Sequence, residues 1–212
     1  MSNTIPSNFT KRIQHFVDIA RNIFLILDHT VYMRQRISVN PLSYYTFCFF
    51  VTSISGYLWE VCIYFFQEST FTNRGFLYAT WLPVYGAGAI LLHILLHTQC
   101  RHPLRVFFLS MLLGTLIELA VGIFLDCFWG LRYWDYTGWI CNFHGYICLL
   151  SALGFGFAGM LWICFLSRPL LILWSKIPAY LQRIILTLLV LAFLTDCSAA
   201  LIFPNHGENI TF

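Results

Sequence analysis

Residues 43–66 read "SYYTFCFFVTSISGYLWEVCIYFF", twenty-four residues whose only charge is Glu60. A helix must offer roughly 20 consecutive apolar residues to cross a hydrocarbon core, and this stretch does. Barrel strands are the other way of spanning, but they alternate in segments of about ten residues, and no such alternation occurs here. The rest of the chain has the same character. Of 212 residues, 59% are hydrophobic and 10% charged, so the chain lacks the polar side chains to cover a soluble domain. The expected fold is an all-α integral membrane protein.

Four more stretches qualify: Phe76–His97, Leu104–Cys127, Gly145–Leu166 and Ile184–Phe203. Five transmembrane helices are therefore predicted. They divide the chain into a cytoplasmic N-terminal segment (1–42), a core of two hairpins (43–97 and 104–166), an interfacial linker (167–183), and a last span with a short outer tail (184–212). Lys11, Arg12, Arg21, Arg34, Arg36, Arg101, Arg105, Arg168, Lys176 and Arg183 fall on one side of this arrangement, with Arg74 and Arg132 on the other. The excess of basic residues on the cytoplasmic side places the N-terminus in the cytoplasm and the C-terminus outside the cell membrane. The net charge of +3 is a topology signal and does not point to nucleic acid.

Before the first span, Ile13, Phe16, Val17, Ala20, Phe24, Leu27 and Val31 recur at helical spacing. They predict an amphipathic helix on the membrane surface or docked on the bundle. The apolar run "IFLIL" is too short and too late for a cleavable signal peptide. Most of the eight cysteines sit at apolar positions; Cys127 and Cys141 flank an outer loop and would pair only in an oxidising compartment.

The chain also aligns with itself. Gly56-Tyr57-Leu58-Trp59-Glu60-Val61 matches Gly114-Thr115-Leu116-Ile117-Glu118-Leu119, and Gly75 precedes Gly86 by the same eleven residues that separate Gly145 from Gly156. Asn73 and Asn142 lie just before the two opening glycines, and Arg74 and Arg132 each follow a glutamate by fourteen residues. Two tandem hairpins entering the membrane in the same direction are expected, related by a pseudo-twofold axis along its normal.

Carboxylates in hydrocarbon are costly, so Glu60 and Glu118 must face the interior, pair with a cation or hold a proton. They serve either as helix-locking acceptors or as the floor of a polar cavity. The outer loop "RYWDYTGWICNFHG" supplies a rim of Arg132, Trp134, Asp135, Tyr136 and Asn142, joined from the first hairpin by Asn73 and Arg74. Pro83 is expected to kink the second span. His93 and His97 share a helix face near Cys100 and His102, a weak metal pattern that lacks a carboxylate to orient it, so no metal or cofactor is expected. Asp196 in the last span has no counterpart in the repeat and is read as accessory. There is no phosphate-cradling loop of the G-x-x-x-x-G-K-[ST] type, no G-x-S-x-G and no H-E-x-x-H.

With these motifs in order, residues 49–165 resemble the family described as "Putative ABC-transporter type IV", small multi-pass bacterial membrane proteins. The resemblance rests on "GYLWEV", "NRGFLYATWLPVYGAGA", "IEL", "RYWDY" and "NFHGYICL". The chain departs from the family at Ala79-Thr80, where Gly-Pro is usual, and at Tyr146, where arginine is common. The resemblance implies a permease subunit working with a separate ATPase, in the lipid bilayer and open to homo-oligomerisation. Beside this leading reading of a transport component stand a membrane-embedded enzyme acting on a lipid or lipid-linked substrate, and a structural or regulatory subunit.

Overall fold

Asn40 starts the first helix. Its side chain accepts the Leu42 amide at 2.9 Å, and Pro41 takes the first helical position, where a missing N–H costs nothing. Helix α1 then runs Pro41–Glu68 and stops at Ser69, whose backbone is left-handed (φ 54°). The computed structural model describes residues 39–69, 75, 77–130, 132 and 134–203. The amphipathic helix expected within residues 13–31, and Asn73 and Arg74, lie outside them.

The second apolar stretch departs from expectation. Helix α2 spans only Pro83–Leu96, followed by a 3-10 turn at His97–Gln99. Pro83 therefore begins this helix instead of kinking it. Proline fixes its own φ, lacks a donor and drives the preceding residue out of the helical region, and Leu82 is accordingly extended (φ −114°, ψ 99°). At 14 residues α2 is about 21 Å long, short of a hydrocarbon core of about 30 Å. Among the described residues four helices are long and apolar enough to cross a membrane: Pro41–Ile63, Pro103–Phe128, Leu149–Ser175 and Ala179–Ile202. The five expected full-length spans thus become four long helices and one short one.

The run from Leu77 to Leu82 ahead of α2 is not helical, so its backbone donors need other partners. Asp196 partners two of them and one side-chain donor. Its carboxylate accepts the amides of Tyr78 (3.0 Å) and Ala79 (3.1 Å) and the Trp81 indole N–H (2.8 Å). The Leu82 amide donates to the Ser53 carbonyl at 3.1 Å. Leu77 and Trp81 pack with Phe50 and Ala200 into one of the two core clusters. An apolar cavity of about 300 Å³ adjoins this run, lined by Leu77, Trp81, Leu82, Pro83, Cys197 and Leu201; it holds none of the acids.

Helix α3 spans Pro103–Trp129 and is closed by Gly130 in the left-handed region (φ 63°), whose amide bonds the Asp126 carbonyl. Helix α4 is continuous over Leu149–Ser175, where the sequence reading ended a span at Leu166 and began a linker. Proline at 169 is tolerated because the turn before it widens to a π-helix at Trp162–Leu166. After a short turn α5 runs Ala179–Ile202. The α4–α5 turn is tied back to α1. Ser43 accepts the Trp174 indole N–H (3.0 Å) and donates to Gln182 (3.1 Å), and Phe47 stacks on Trp174 at 4.2 Å.

Helices α1 and α2 pack as one antiparallel pair, and α3 and α4 as another. Glycines set the spacing. A Cβ on Gly56 would strike Tyr85, one on Gly86 would strike Phe49 and Ser53, one on Gly114 would strike Phe155, and one on Gly156 would meet Phe107. Close backbone approach through small residues is the main source of helix association in lipid.

Hydrogen bonds across membrane helices average about 0.6 kcal/mol each, so the three donors on Asp196 together are worth about 2 kcal/mol. Replacing Asp196 with alanine should lower the unfolding free energy by about that amount in an SDS titration of the protein in micelles. An unchanged midpoint would show that the run before α2 is held by other contacts.

Candidate functional site

Glu118 sits on α3 between two hydroxyls. Its Oε1 accepts the Tyr136 phenol at 3.0 Å and its Oε2 accepts the Ser151 hydroxyl at 2.9 Å. Ser151 is placed by the start of α4, where it forms a reciprocal cap with Cys148. The Ser151 amide bonds the Cys148 sulfur, and the Cys148 amide bonds the Ser151 hydroxyl, both at 3.3 Å. Glu60 on α1 accepts the Tyr85 phenol at 2.9 Å, and Tyr85 is the third residue of α2. Tyr85 lies within electrostatic range of both Glu118 and Tyr136. The two glutamates and two tyrosines therefore form one half-buried cluster to which both hairpins contribute.

Over this cluster lies a polar lid formed by the described residues among 130–148. Arg132 is its centre. The guanidinium approaches Asp126 at 3.2 Å and Asp135 at 3.8 Å, and stacks over the Tyr146 ring at 4.7 Å. Tyr146 in turn donates its hydroxyl to Asp126 at 2.6 Å, and Trp134 donates its indole N–H to the Tyr146 carbonyl at 2.8 Å. Gly145 lies against Asp135, Thr137 and Arg132 with φ +75°, a position closed to a side chain both by space and by backbone. The Tyr136 amide bonds the Gly145 carbonyl at 2.9 Å, which turns the phenol of Tyr136 down to Glu118.

The lid's ionisable groups reflect these contacts. The hydroxyl and amide of Thr137 hold the Asp135 carboxyl below the usual carboxylate range. The Tyr146 hydroxyl is pushed up because Asp126 accepts its proton. Burial, reinforced by Glu118, raises the Tyr136 phenol, which stays protonated as the donor.

Of the residues expected to form the site, Glu60, Glu118, Arg132, Trp134, Asp135 and Tyr136 are brought together. Asn142 is exposed and donates to the Trp139 carbonyl at 2.9 Å. Tyr85, Ser151 and Tyr146 are essential to the geometry but were not predicted as site residues; each is an ordinary residue until its partner is known. Tyr146, the departure from the family's usual arginine, gives Arg132 a ring to stack on. Cys127 and Cys141 are unpaired and exposed. Among the described residues no group of three His, Cys, Asp or Glu side chains is placed to hold a metal.

A bundle of long apolar helices around an acid and hydroxyl cluster, closed by a polar lid, defines a multi-pass α-helical membrane protein with a polar interior site. The model of the "Putative ABC-transporter type IV" family matches residues 47–201, and the chain belongs to that family. Neither curated proteins nor solved structures yield a match to it.

The sign of the Asp135 shift sets a pH dependence for the lid. A lowered carboxyl contributes order above the unfolded value, about 3.9, and loses it as pH falls through the folded value. Protection of the Thr137 amide against hydrogen exchange should therefore hold at pH 6 and decline only below about pH 4, as pH falls through the lowered folded value. Protection that survives Asp135→Asn unchanged at pH 6 would contradict this.

Proposed function

We infer that this chain is a permease-type component of a membrane transport system, with a polar cavity opening to the outer face. One observation carries the reading: Glu60 and Glu118, from different hairpins, converge with Tyr85, Tyr136 and Ser151 directly beneath the lid. Merely locking helices together would not call for a lid built on its own network of arginine, acids and aromatic rings. Arg132, Trp134, Asp135 and Tyr136 form the rim, to which we assign Asn73, Arg74 and Asn142 as well. The family description supports a transport role, and since the chain has no phosphate-cradling loop, a separate ATPase would supply the energy.

In this reading the N-terminus is cytoplasmic and the C-terminus outside. Arg101 and Arg105 then stay on the cytoplasmic side only if the second segment also crosses. It does so as a broken helix: α2 covers the inner part of the path and the run from Leu77 to Leu82 the outer part. Irregular backbone at membrane depth is tolerated where protein satisfies it, as Asp196 does here. The two hairpins act as copies of one unit. Gly56 against Tyr85 corresponds to Gly114 against Phe155, and Gly86 against Phe49 to Gly156 against Phe107, at the register in which Glu60 aligns with Glu118.

The cavity is tested by Ser151→Cys. In intact cells a membrane-impermeant maleimide added outside should modify residue 151, located by mass spectrometry, while Ser110→Cys at the bundle centre stays unmodified. A folded Ser151→Cys protein that resists the reagent would overturn the outward-facing cavity.

A further inference from the structure

Hydroxyls on the outer surfaces of these helices satisfy themselves. Thr46, Thr52, Ser55, Thr195 and Ser198 each donate to the carbonyl four residues back, at 2.7 to 2.9 Å. This is the usual resort of serine and threonine in a medium with no other acceptor. Three interior hydroxyls do not. Ser53 Oγ, Ser110 Oγ and Thr115 Oγ1 are buried without a hydrogen-bond partner, and so is His93 Nδ1; among the described residues these four are the buried side-chain polar atoms in that condition. Ser53 and Ser110 are 0% exposed.

An orphaned buried polar atom costs about 1–3 kcal/mol. The hydroxyls had a remedy within reach, in their own helix carbonyls, and do not use it. Their positions explain why. Thr115 is one turn from Glu118 on α3, and Ser110 lies deeper on the same helix, against Gly159 of α4. Gly159 also meets Leu92, the neighbour of His93. Ser53 lies below Glu60 on α1, against Gly86 of α2. His93 sits at the end opposite the lid, ringed by His97 at 5.4 Å, Tyr45 at 5.7 Å, Tyr44 at 5.9 Å and Trp162 at 6.4 Å. Thr115 and Ser110 thus share a helix with Glu118, Ser53 shares one with Glu60, and His93 lies near the far end of α2.

We propose that this bundle conducts protons, along a water-bridged path from Glu118 and Glu60 through Thr115, Ser110 and Ser53 to His93 and His97. The path rests on the outward-facing cavity inferred above, which would be its outer mouth. Each orphan hydroxyl has two lone pairs and a rotatable proton to offer, His93 Nδ1 has one lone pair or one N–H, and bridging water needs such partners. Carboxylates and imidazoles at the two ends are groups that take up and release protons, whereas hydroxyls between them relay without holding charge. The groups facing Glu118 are Tyr136, Ser151, Tyr85 and, through Tyr85, Glu60. Those facing His93 are His97, Tyr44 and Tyr45, with Cys48 beside Tyr44.

The experiment is proton flux into liposomes containing the purified full chain and an internal pH dye, driven by a potassium diffusion potential. Wild-type protein should acidify the lumen faster than protein-free liposomes. Ser110→Ala and Ser53→Ala, which add no bulk, should each cut that rate roughly tenfold, the effect of raising a barrier by about 1.4 kcal/mol, while Thr46→Ala, whose hydroxyl bonds its own helix, leaves it unchanged. Wild-type flux equal to that of empty liposomes, or full flux in both alanine variants, would overturn the path. Labelling of Ser151→Cys from outside separates the two failures: a labelled but non-conducting protein rejects the path and keeps the cavity.

Discussion

The structure depends on the rule that no backbone donor goes unpartnered in hydrocarbon. Pro83 breaks the second apolar segment, and the residues before it cannot make helical bonds. Asp196, on the last helix, faces them with both carboxylate oxygens and accepts three donors. A carboxyl side chain in an apolar helix is expensive by itself, and so is a length of unwound backbone. Together they offset each other, which gives a physical account of why an acid with no counterpart in the repeat is present at all.

That pairing positions the site. With the break held at Leu82, α2 starts at Pro83, and Tyr85 falls in its first turn at the level of Glu60. Had helix begun at Phe76, as apolarity alone suggests, the register of everything after it relative to α1 would have no fixed starting point. The second hairpin reaches a related arrangement differently. There the phenol comes from the loop, as Tyr136, and a serine cap on α4 supplies the other hydroxyl. The two glutamates sit in like sequence motifs but have unlike partners, Tyr85 for Glu60 and Tyr136 with Ser151 for Glu118.

Much of this was legible in the sequence, and the reason is lipid. Apolar length reports directly on spanning helices because the hydrocarbon core has one thickness, so α1, α3, α4 and α5 each overlap an expected stretch, although α4 runs on to Ser175 and α5 starts at Ala179, inside the expected linker. Glu60, Glu118 and "RYWDY" stood out because charge is rare in such segments. What stayed hidden was conformation within apolar sequence. Hydropathy treats Leu77-Tyr78-Ala79-Thr80-Trp81-Leu82 as readily spanning, whereas the proline rule applied to Pro83 as a helix start would have shown the break. Asp196 was visible as an acid, but its donors lie 115 to 118 residues away in sequence. Likewise the span expected to end at Leu166 continues as helix to Ser175, since nothing in the sequence announces the π turn at Trp162–Leu166.

The glycines connect packing to chemistry. Each close approach in the hairpins brings a glycine against an aromatic ring or a serine, and the residues so admitted include Tyr85, which reaches Glu60, and Ser53 and Ser110, whose hydroxyls lack partners. A larger residue at Gly56, Gly86 or Gly159 would push those side chains out of the interface and with them the polar atoms they carry. The tight packing that holds the helices together in lipid is therefore the same feature that places polar groups in the interior. A bundle selected for association alone would have had no reason to put hydroxyls there, since alanine packs as closely and leaves nothing unsatisfied.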